Sequence, residues 1–193
     1  MNIDEEIERA LKGETDLNLN IPSEAILEKA DGTDKLVQVY TTTREIATPN
    51  TMTTDSSEHG KVYATTAVAA VTMSEDKSDT DSVNDYYVTA YGTVYWRDNL
   101  GVNNEFLGAS GGWDSDINPA TNKKPTLSNK AATIHGQSYA RDYVYKQITP
   151  TGMTYSISKS SFNYKRWEFW LTSAVTVNGK DKLNLKVSTG FLT

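Results

Sequence analysis

Two histidines, His59 and His135, supply the imidazole groups of this chain of 193 residues, and each is followed by a glycine. A structural zinc site usually needs four His, Cys, Asp or Glu ligands, several of them at short spacing. The two histidines lie far apart in the sequence, and the chain contains no cysteine. Disulfides, thiolate metal ligands and cysteine nucleophiles are thereby excluded, and we expect both histidines to be loop or surface residues.

Two carboxylates stand beside aromatic residues in segments with strand character, Glu105 and Glu168. Carboxylates that face each other across a cleft hydrolyse glycosidic bonds, so a glycan-active hydrolase is one hypothesis. The serines lack the G-x-S-x-G turn of a nucleophile elbow, and outward-facing glutamates explain both positions more simply. We therefore predict no catalytic residue and a protein that is not an enzyme.

Three oxygen ligands occur at alternate positions in D-x-D-x-N, namely Asp114, Asp116 and Asn118. This spacing is typical of the start of a calcium-binding loop. Pro119 stands where such a loop needs glycine, and Pro125 stands where it needs glutamate. Calcium is the one cofactor that the sequence suggests, and turns closed by the aspartate side chains are the alternative interpretation.

Residues 86–96, YYVTAYGTVYW, alternate with period two. Val88, Ala90 and Val94 fall on one face of a strand, and three tyrosines on the other: Tyr87, Tyr91 and Tyr95. We predict a central antiparallel strand with a covered face and a wetter tyrosine face. Tyrosine rings offer apolar area and polar edges, which suits sugars and protein partners, although β-proteins also use such rings to fill a core.

Trp113 lies in the sequence SGGWDSD, between two glycines and two aspartates. Glycines and acidic residues are typical of loops, and binding residues are concentrated on loops. We predict a long irregular loop here. Trp113 and the three tyrosines are the predicted ligand-binding residues.

Beyond the N-terminal residues, the sequence predicts short strands separated by turns. A short helix is predicted over residues 2–12, and a second helical turn over residues 23–29. We interpret residues 1–35 as an N-terminal helical or irregular arm, and a pro-segment is one interpretation of this arm. Residues 36–193 are predicted to form the main domain. The clearest signal is Asn178-Gly179, a favoured hairpin pair between two alternating segments. The prediction is an all-β antiparallel sandwich of two sheets and about seven to ten strands.

Charge and hydropathy restrict the partners. The formal net charge is -6 and the mean hydropathy is -0.54. A negative protein does not attract nucleic acid by its overall field, and no apolar run is long enough for a transmembrane helix. The cysteine-free composition, rich in Thr, Ser, Asn and Tyr, is typical of exported bacterial β-proteins, so an extracellular location is expected although the first residues lack the pattern of a signal peptide.

These patterns support a secreted or cell-surface, non-enzymatic β-sandwich that binds a glycan or a protein through aromatic residues. A secreted bacterial toxin or bacteriocin-like protein acting on membranes is the first alternative, because the Thr-rich residues 41–71 and 149–161 suit amphipathic hairpins. The glycan-active hydrolase is the second.

Overall fold

The computed structural model describes residues 2–46, 60–72, 87–98, 104–117, 122–138, 141–159, 165–166 and 168–189. Within these ranges the chain forms one short helix and two antiparallel sheets that pack face to face. The elements are α1 (Ile3–Leu11), β1 (Glu24–Glu28), β2 (Asp34–Val37), β3 (Val39–Ile46), β4 (Val62–Thr72), β5 (Tyr87–Asp98), β6 (Asn104–Asp116), β7 (Leu127–Ser138), β8 (Arg141–Ile148), β9 (Thr154–Ser158), β10 (Lys165–Arg166), β11 (Glu168–Val177) and β12 (Asp181–Ser188). The predicted all-β sandwich is confirmed.

The first sheet, sheet A, has the strand order β2-β1-β12-β11-β7-β8. The second, sheet B, has the order β10-β6-β5-β4-β3, and β9 pairs with another stretch of β6. Strand β5 therefore lies between β4 and β6, as a central strand. The hairpin of β11 and β12 also follows the prediction, because Asn178 and Gly179 both have positive φ angles, 51° and 67°.

The core lies between the sheets and contains large aromatic side chains. The largest buried rings are Trp96, Trp113, Phe106 and Phe169. The rings of Phe106 in sheet B and Phe169 in sheet A meet edge to face at 6.2 Å, and the indole Nε1 of Trp96 donates to Thr65 Oγ1 at 3.0 Å. The aromatic residues thus supply the apolar area that a low mean hydropathy conceals.

A cross-strand pair of glycines makes room for another ring in this core. Gly92 of β5 lies opposite Gly111 of β6, and Tyr155 of β9 lies opposite Gly111 on its other side. A Cβ atom on Gly92 would lie 2.7 Å from Leu171 Cδ2 and 3.3 Å from Tyr155 Oη, and one on Gly111 would collide with the Tyr155 phenol. Both strands therefore require glycine where the Tyr155 phenol packs against them.

The N-terminal segment is part of the sandwich, which corrects the predicted arm. Residues 24–28 form strand β1 rather than a helical turn, and β1 pairs with β12 and β2. Ala25 and Leu27 are buried in the core opposite Leu185 and Leu183. The alternation of EAILE suits a strand with one covered face, and a hydrophobic partner in β12 outweighs the helix propensity of Ala, Leu and Glu.

Residues before β1 cover the free edge of sheet B. Asp16 N donates to Thr43 O at 2.8 Å, Thr43 N donates to Thr15 Oγ1 at 2.9 Å, and Glu45 N donates to Asp16 Oδ2 at 2.9 Å. These bonds satisfy edge groups of β3. Helix α1 begins after the cap residue Asn2, whose side chain accepts from Asp4 N at 3.2 Å, and packs next to β3 and β4.

Candidate functional site

The tyrosine face of β5 lies on the outer side of sheet B. Val88, Ala90 and Val94 are buried in the core, whereas the three tyrosines are half-buried on the opposite face: Tyr87, Tyr91 and Tyr95. The predicted alternation therefore separates the two faces of the strand. The tyrosine rings keep part of their surface available to solvent.

Two of these tyrosines cover glycines of the neighbouring strand. Tyr91 lies opposite Gly112, and Tyr95 lies opposite Gly108. A Cβ on Gly112 would approach Tyr91 Oη to 2.7 Å, and one on Gly108 would lie 4.0 Å from Tyr95 Cδ2. Each phenol thus rests over a backbone stretch that carries no side chain, which holds the Tyr91 ring close to the sheet.

A groove with a volume of about 520 Å³ runs over this face. Its floor consists of side chains from three adjacent strands and its sides come from α1, the end of β3 and β9. The lining residues are Glu6, Arg44, Ile46, Ala64, Thr66, Tyr91, Thr93, Tyr95, Ser110, Gly111, Thr154 and Tyr155. The groove combines the half-buried rings of Tyr91 and Tyr95 with several hydroxyl groups, and the buried Tyr155 lies at its side.

Polar contacts organise the groove. The hydroxyls of Thr66 and Thr93 are 2.8 Å apart and form a hydrogen bond across β4 and β5. Glu6 of α1 reaches over the edge strand, where its Oε2 accepts from Thr42 Oγ1 at 3.0 Å and its Oε1 accepts from Arg44 Nη2. One ion pair therefore stands beside the aromatic floor.

The electrostatic setting keeps Tyr91 protonated. Partial burial is the main cause that raises the pKa of Tyr91, and the carboxylate of Asp114 raises it further. The phenol is therefore a neutral hydroxyl at ordinary pH, able both to donate and to accept.

Tyr87 lies apart from the groove. It is opposite Asp116 near one end of β5 and is not among the lining residues. The structure thus brings two of the three predicted tyrosines into one site.

The placement of Trp113 in a loop is wrong. Trp113 lies within β6 opposite Ala90, its exposed fraction is 1%, and its ring centroid is 5.2 Å from that of Tyr155. The adjacent Gly111 and Gly112 do not form a turn. They leave room for the rings of Tyr155 and Tyr91. In this fold the Trp113 ring is a core group.

The predicted calcium loop is also placed differently. Asp114 and Asp116 are exposed residues on the outer face of β6, where the extended backbone separates alternate positions by about 7 Å. Asp114 Oδ1 accepts from Ser115 N at 2.9 Å. Asn118 lies outside the described residues, and no group of three or more His, Asp or Glu residues suitable for a metal occurs among those that are described. Calcium binding stays a prediction.

The remaining groups singled out in the sequence have structural partners. Both Glu105 oxygens meet cations, with Arg97 Nη1 at 3.1 Å and Lys159 Nζ at 2.6 Å, and the Glu105 side chain is 2% exposed. Such a buried ionic cluster favours a structural role for Glu105. Glu168 lies on β11 in the other sheet.

His135 stacks on Trp170 with ring centroids 5.3 Å apart, and its Nε2 lies 3.2 Å from Thr172 Oγ1. His59 lies outside the described residues.

Sequence reasoning missed the polar side of the groove, namely Glu6, Arg44 and Thr66, together with the buried Thr42 that donates to Glu6. Alternation places Thr42 and Arg44 on one face of β3. The order of β3, β4 and β5 was needed to bring them beside the tyrosines, and no local pattern signals that α1 lies over them.

Within the described part of the chain, no helix is long and apolar enough to cross a membrane. Comparison of the chain with protein-family models, curated proteins and solved structures gives no match.

Proposed function

We propose that this protein is a non-enzymatic binding module that holds a glycan in the groove on the outer face of sheet B. The observation that carries the proposal is the pair of half-buried rings, Tyr91 and Tyr95, on the floor of a groove lined with hydroxyl groups. The two residues are four positions apart on one strand, so their Cα atoms are separated by about 13 Å. An extended ligand fits this spacing better than a single small molecule.

The chemistry of the groove suits sugars. A pyranose ring presents a face of C–H groups, which packs on an aromatic ring, and an edge of hydroxyls, which needs hydrogen-bond partners. Ser110 supplies a half-buried hydroxyl next to the two rings, and the hydrogen-bonded hydroxyls of Thr66 and Thr93 lie in the floor below, where each keeps an acceptor lone pair. A water-exposed sheet face of this composition suits a protein that works outside the cell, and a secreted or cell-surface location is part of the proposal.

The test compares glycan binding by Tyr91→Ala and Tyr95→Ala with binding by the unmodified protein on a broad glycan array. We expect each variant to lose at least about tenfold in affinity, which corresponds to about 1.4 kcal/mol. Tyr143→Ala is the matched control, because Tyr143 is a 43% exposed tyrosine in the other sheet.

Tyr91→Phe controls for the possibility that Tyr91→Ala loses glycan affinity only because Gly112 is no longer covered by a ring. This variant keeps the ring over the glycine, and we expect it to retain most of the affinity. If both alanine variants are folded and bind every glycan as the unmodified protein does, the groove is not the binding site. If the protein binds only a protein partner, and both alanine variants lose that binding, the ligand of the groove is a protein and not a glycan.

A further inference from the structure

We infer that Thr42 and Arg44 form a carboxylate subsite of this groove, and that the side chain of Glu6 occupies it when the groove is empty. The preferred ligand is then an acidic glycan bearing uronic-acid carboxylates, which competes with helix α1 for the subsite. This inference rests on the proposed function and extends it to a ligand class and a means of regulation.

The contacts of Glu6 are those that a carboxylate ligand makes. One carboxylate oxygen accepts from the Thr42 hydroxyl at 3.0 Å, and the other accepts from the Arg44 guanidinium. The Glu6 side chain is 14% exposed and that of Arg44 is 35% exposed. Arginine is well suited to planar carboxylates, and partial burial strengthens such a pair. Arg44 also lines the groove together with Tyr91 and Tyr95, so the subsite and the rings belong to one surface.

Helix α1 is lightly attached to the sheet. Within the nine-residue helix no residue is buried, and Leu11 is 71% exposed. A helix of this length is marginal by itself, so its docking depends on contacts such as those of Glu6. The chain beyond it is tied to β3 by Thr15 and Asp16.

Between the helix and this tie lies Gly13, whose φ angle of +68° ends the helix, with Glu14 N donating to Arg9 O at 2.9 Å. The hydrogen bonds of Thr15 and Asp16 to β3 lie beyond this end and do not involve helix residues, so the edge of the sheet stays covered if the helix leaves.

The groove chemistry selects a glycan over an acidic peptide. An extended peptide on a sheet usually binds through backbone groups of a free strand edge, whereas this groove lies over a sheet face and offers side-chain hydroxyls and aromatic rings. The Glu6 carboxylate then stands in for the carboxylate of a uronic acid at Thr42 and Arg44.

The experiment uses the full chain and two oligosaccharides of equal length. One is an oligogalacturonide, and the other is its methyl ester, which has the same ring shape but no charge. Glu6→Gln removes the competing charge, and Glu5→Gln is the matched control because Glu5 is an exposed glutamate one position away on the same helix. Affinities are measured by titration calorimetry.

We expect Glu6→Gln to bind the acidic oligosaccharide at least about fivefold more tightly than the unmodified protein, with less than about twofold change for the methyl ester. Glu5→Gln should change neither affinity by more than about twofold. Arg44→Gln should remove the preference for the acidic ligand. In the unmodified protein, the acidic ligand should speed amide hydrogen exchange within α1, and the methyl ester should not.

Other results overturn the inference in distinct ways. If the methyl ester binds in the groove but Glu6→Gln leaves the acidic affinity unchanged and exchange in α1 does not respond, the carboxylate subsite is refuted and the proposed function stands. If neither oligosaccharide nor any glycan on the array binds to any variant, the proposed function fails with it. If oligoglutamate rather than the oligosaccharide gains affinity in Glu6→Gln, the ligand is an acidic peptide.

Discussion

At the scale of single residues, the hydroxyl of Tyr155 is unusual because it is buried without a hydrogen-bond partner. Two neighbouring polar atoms in the core share this property, Trp113 Nε1 and Ser173 Oγ. Ser173 approaches closely enough to limit the rise in the pKa of Tyr155 that burial causes, yet the two hydroxyls do not meet with hydrogen-bond geometry. A buried polar group without a partner costs about 1–3 kcal/mol, so this cluster lowers the stability of the core.

The Tyr155→Phe substitution should therefore stabilise the protein. Phenylalanine keeps the ring against Trp113 and over the two glycines but removes the unpaired hydroxyl. We expect the free energy of unfolding to rise by about 1 kcal/mol in urea titrations. Tyr143→Phe, at an exposed position, should have no measurable effect. A Tyr155→Phe variant that is less stable by 1 kcal/mol or more would reveal a hydrogen bond that the geometry does not contain.

Gly92 shows how strongly one position depends on its surroundings. A methyl group there would lie 2.7 Å from Leu171 and 3.2 Å from Val187, both in the facing sheet. We expect Gly92→Ala to lower the free energy of unfolding by about 2 kcal/mol, because overpacking a dense core forces side chains from their rotamers. Gly152→Ala is the control, since nothing lies within 4 Å of its added methyl group. Equal stability of the two variants in thermal unfolding would contradict the close packing of the sheets.

At the scale of elements, strand β1 decides whether the N-terminal segment is dispensable. Its inward side chains, Ala25 and Leu27, pack in the core. Removing residues 1–35 would thus uncover β12 along the β1 edge. The hypothesis of a removable pro-segment is consistent with α1, which has no buried residue, but not with β1.

A matched pair of leucines tests this conclusion. Leu27 in β1 is 1% exposed, whereas Leu36 in the adjacent β2 is 80% exposed. We expect Leu27→Ala to lower the free energy of unfolding by about 3 kcal/mol, because deleting buried methyl groups leaves a cavity, and Leu36→Ala to change it by less than about 0.5 kcal/mol. Chemical denaturation measures both. If Leu27→Ala changes the free energy of unfolding as little as Leu36→Ala does, residues 1–35 are a separate arm and not part of the core.

At the scale of the whole molecule, both sheets share one core, so tyrosine ionisation acts on global stability. Burial raises the pKa of Tyr155 above its usual 10.0, and the pKa values of Tyr63 and Tyr91 are raised as well, mainly by burial. Below pH 10 both folded and unfolded chains keep these protons. Above it the unfolded chain releases them while the folded chain retains them, so stability falls as pH rises.

We therefore expect the free energy of unfolding to decrease as the pH rises from about 10 to about 12, and to decrease less steeply in Tyr155→Phe. Urea titrations across this interval measure the slope. Tyr143→Phe should keep the slope of the unmodified protein. A slope that is identical in all three proteins would mean that Tyr155 is not protected from ionisation by the fold.

The sequence by itself determined the fold class, the central position of β5, the separation of its two faces and the hairpin at Asn178-Gly179. These features depend on alternation and turn chemistry, which act between residues close in the chain. The same local logic failed at residues 23–29, where the partner strand β12 decides the structure, and at Trp113, where glycines marked space for rings rather than a loop.

Only the tertiary structure decided which groups share a site. Tyr91 and Tyr95 were identifiable from β5 alone, but Glu6, Arg44 and Thr66 join them through the order of strands β3, β4 and β5 and the docking of α1. Strand order is set by contacts between residues distant in the chain, and these leave no mark in a local pattern. The groove that carries the proposed function therefore depends on how the strands of the sheet pack together. Its aromatic floor, in contrast, is predictable from the alternation of residues in strand β5.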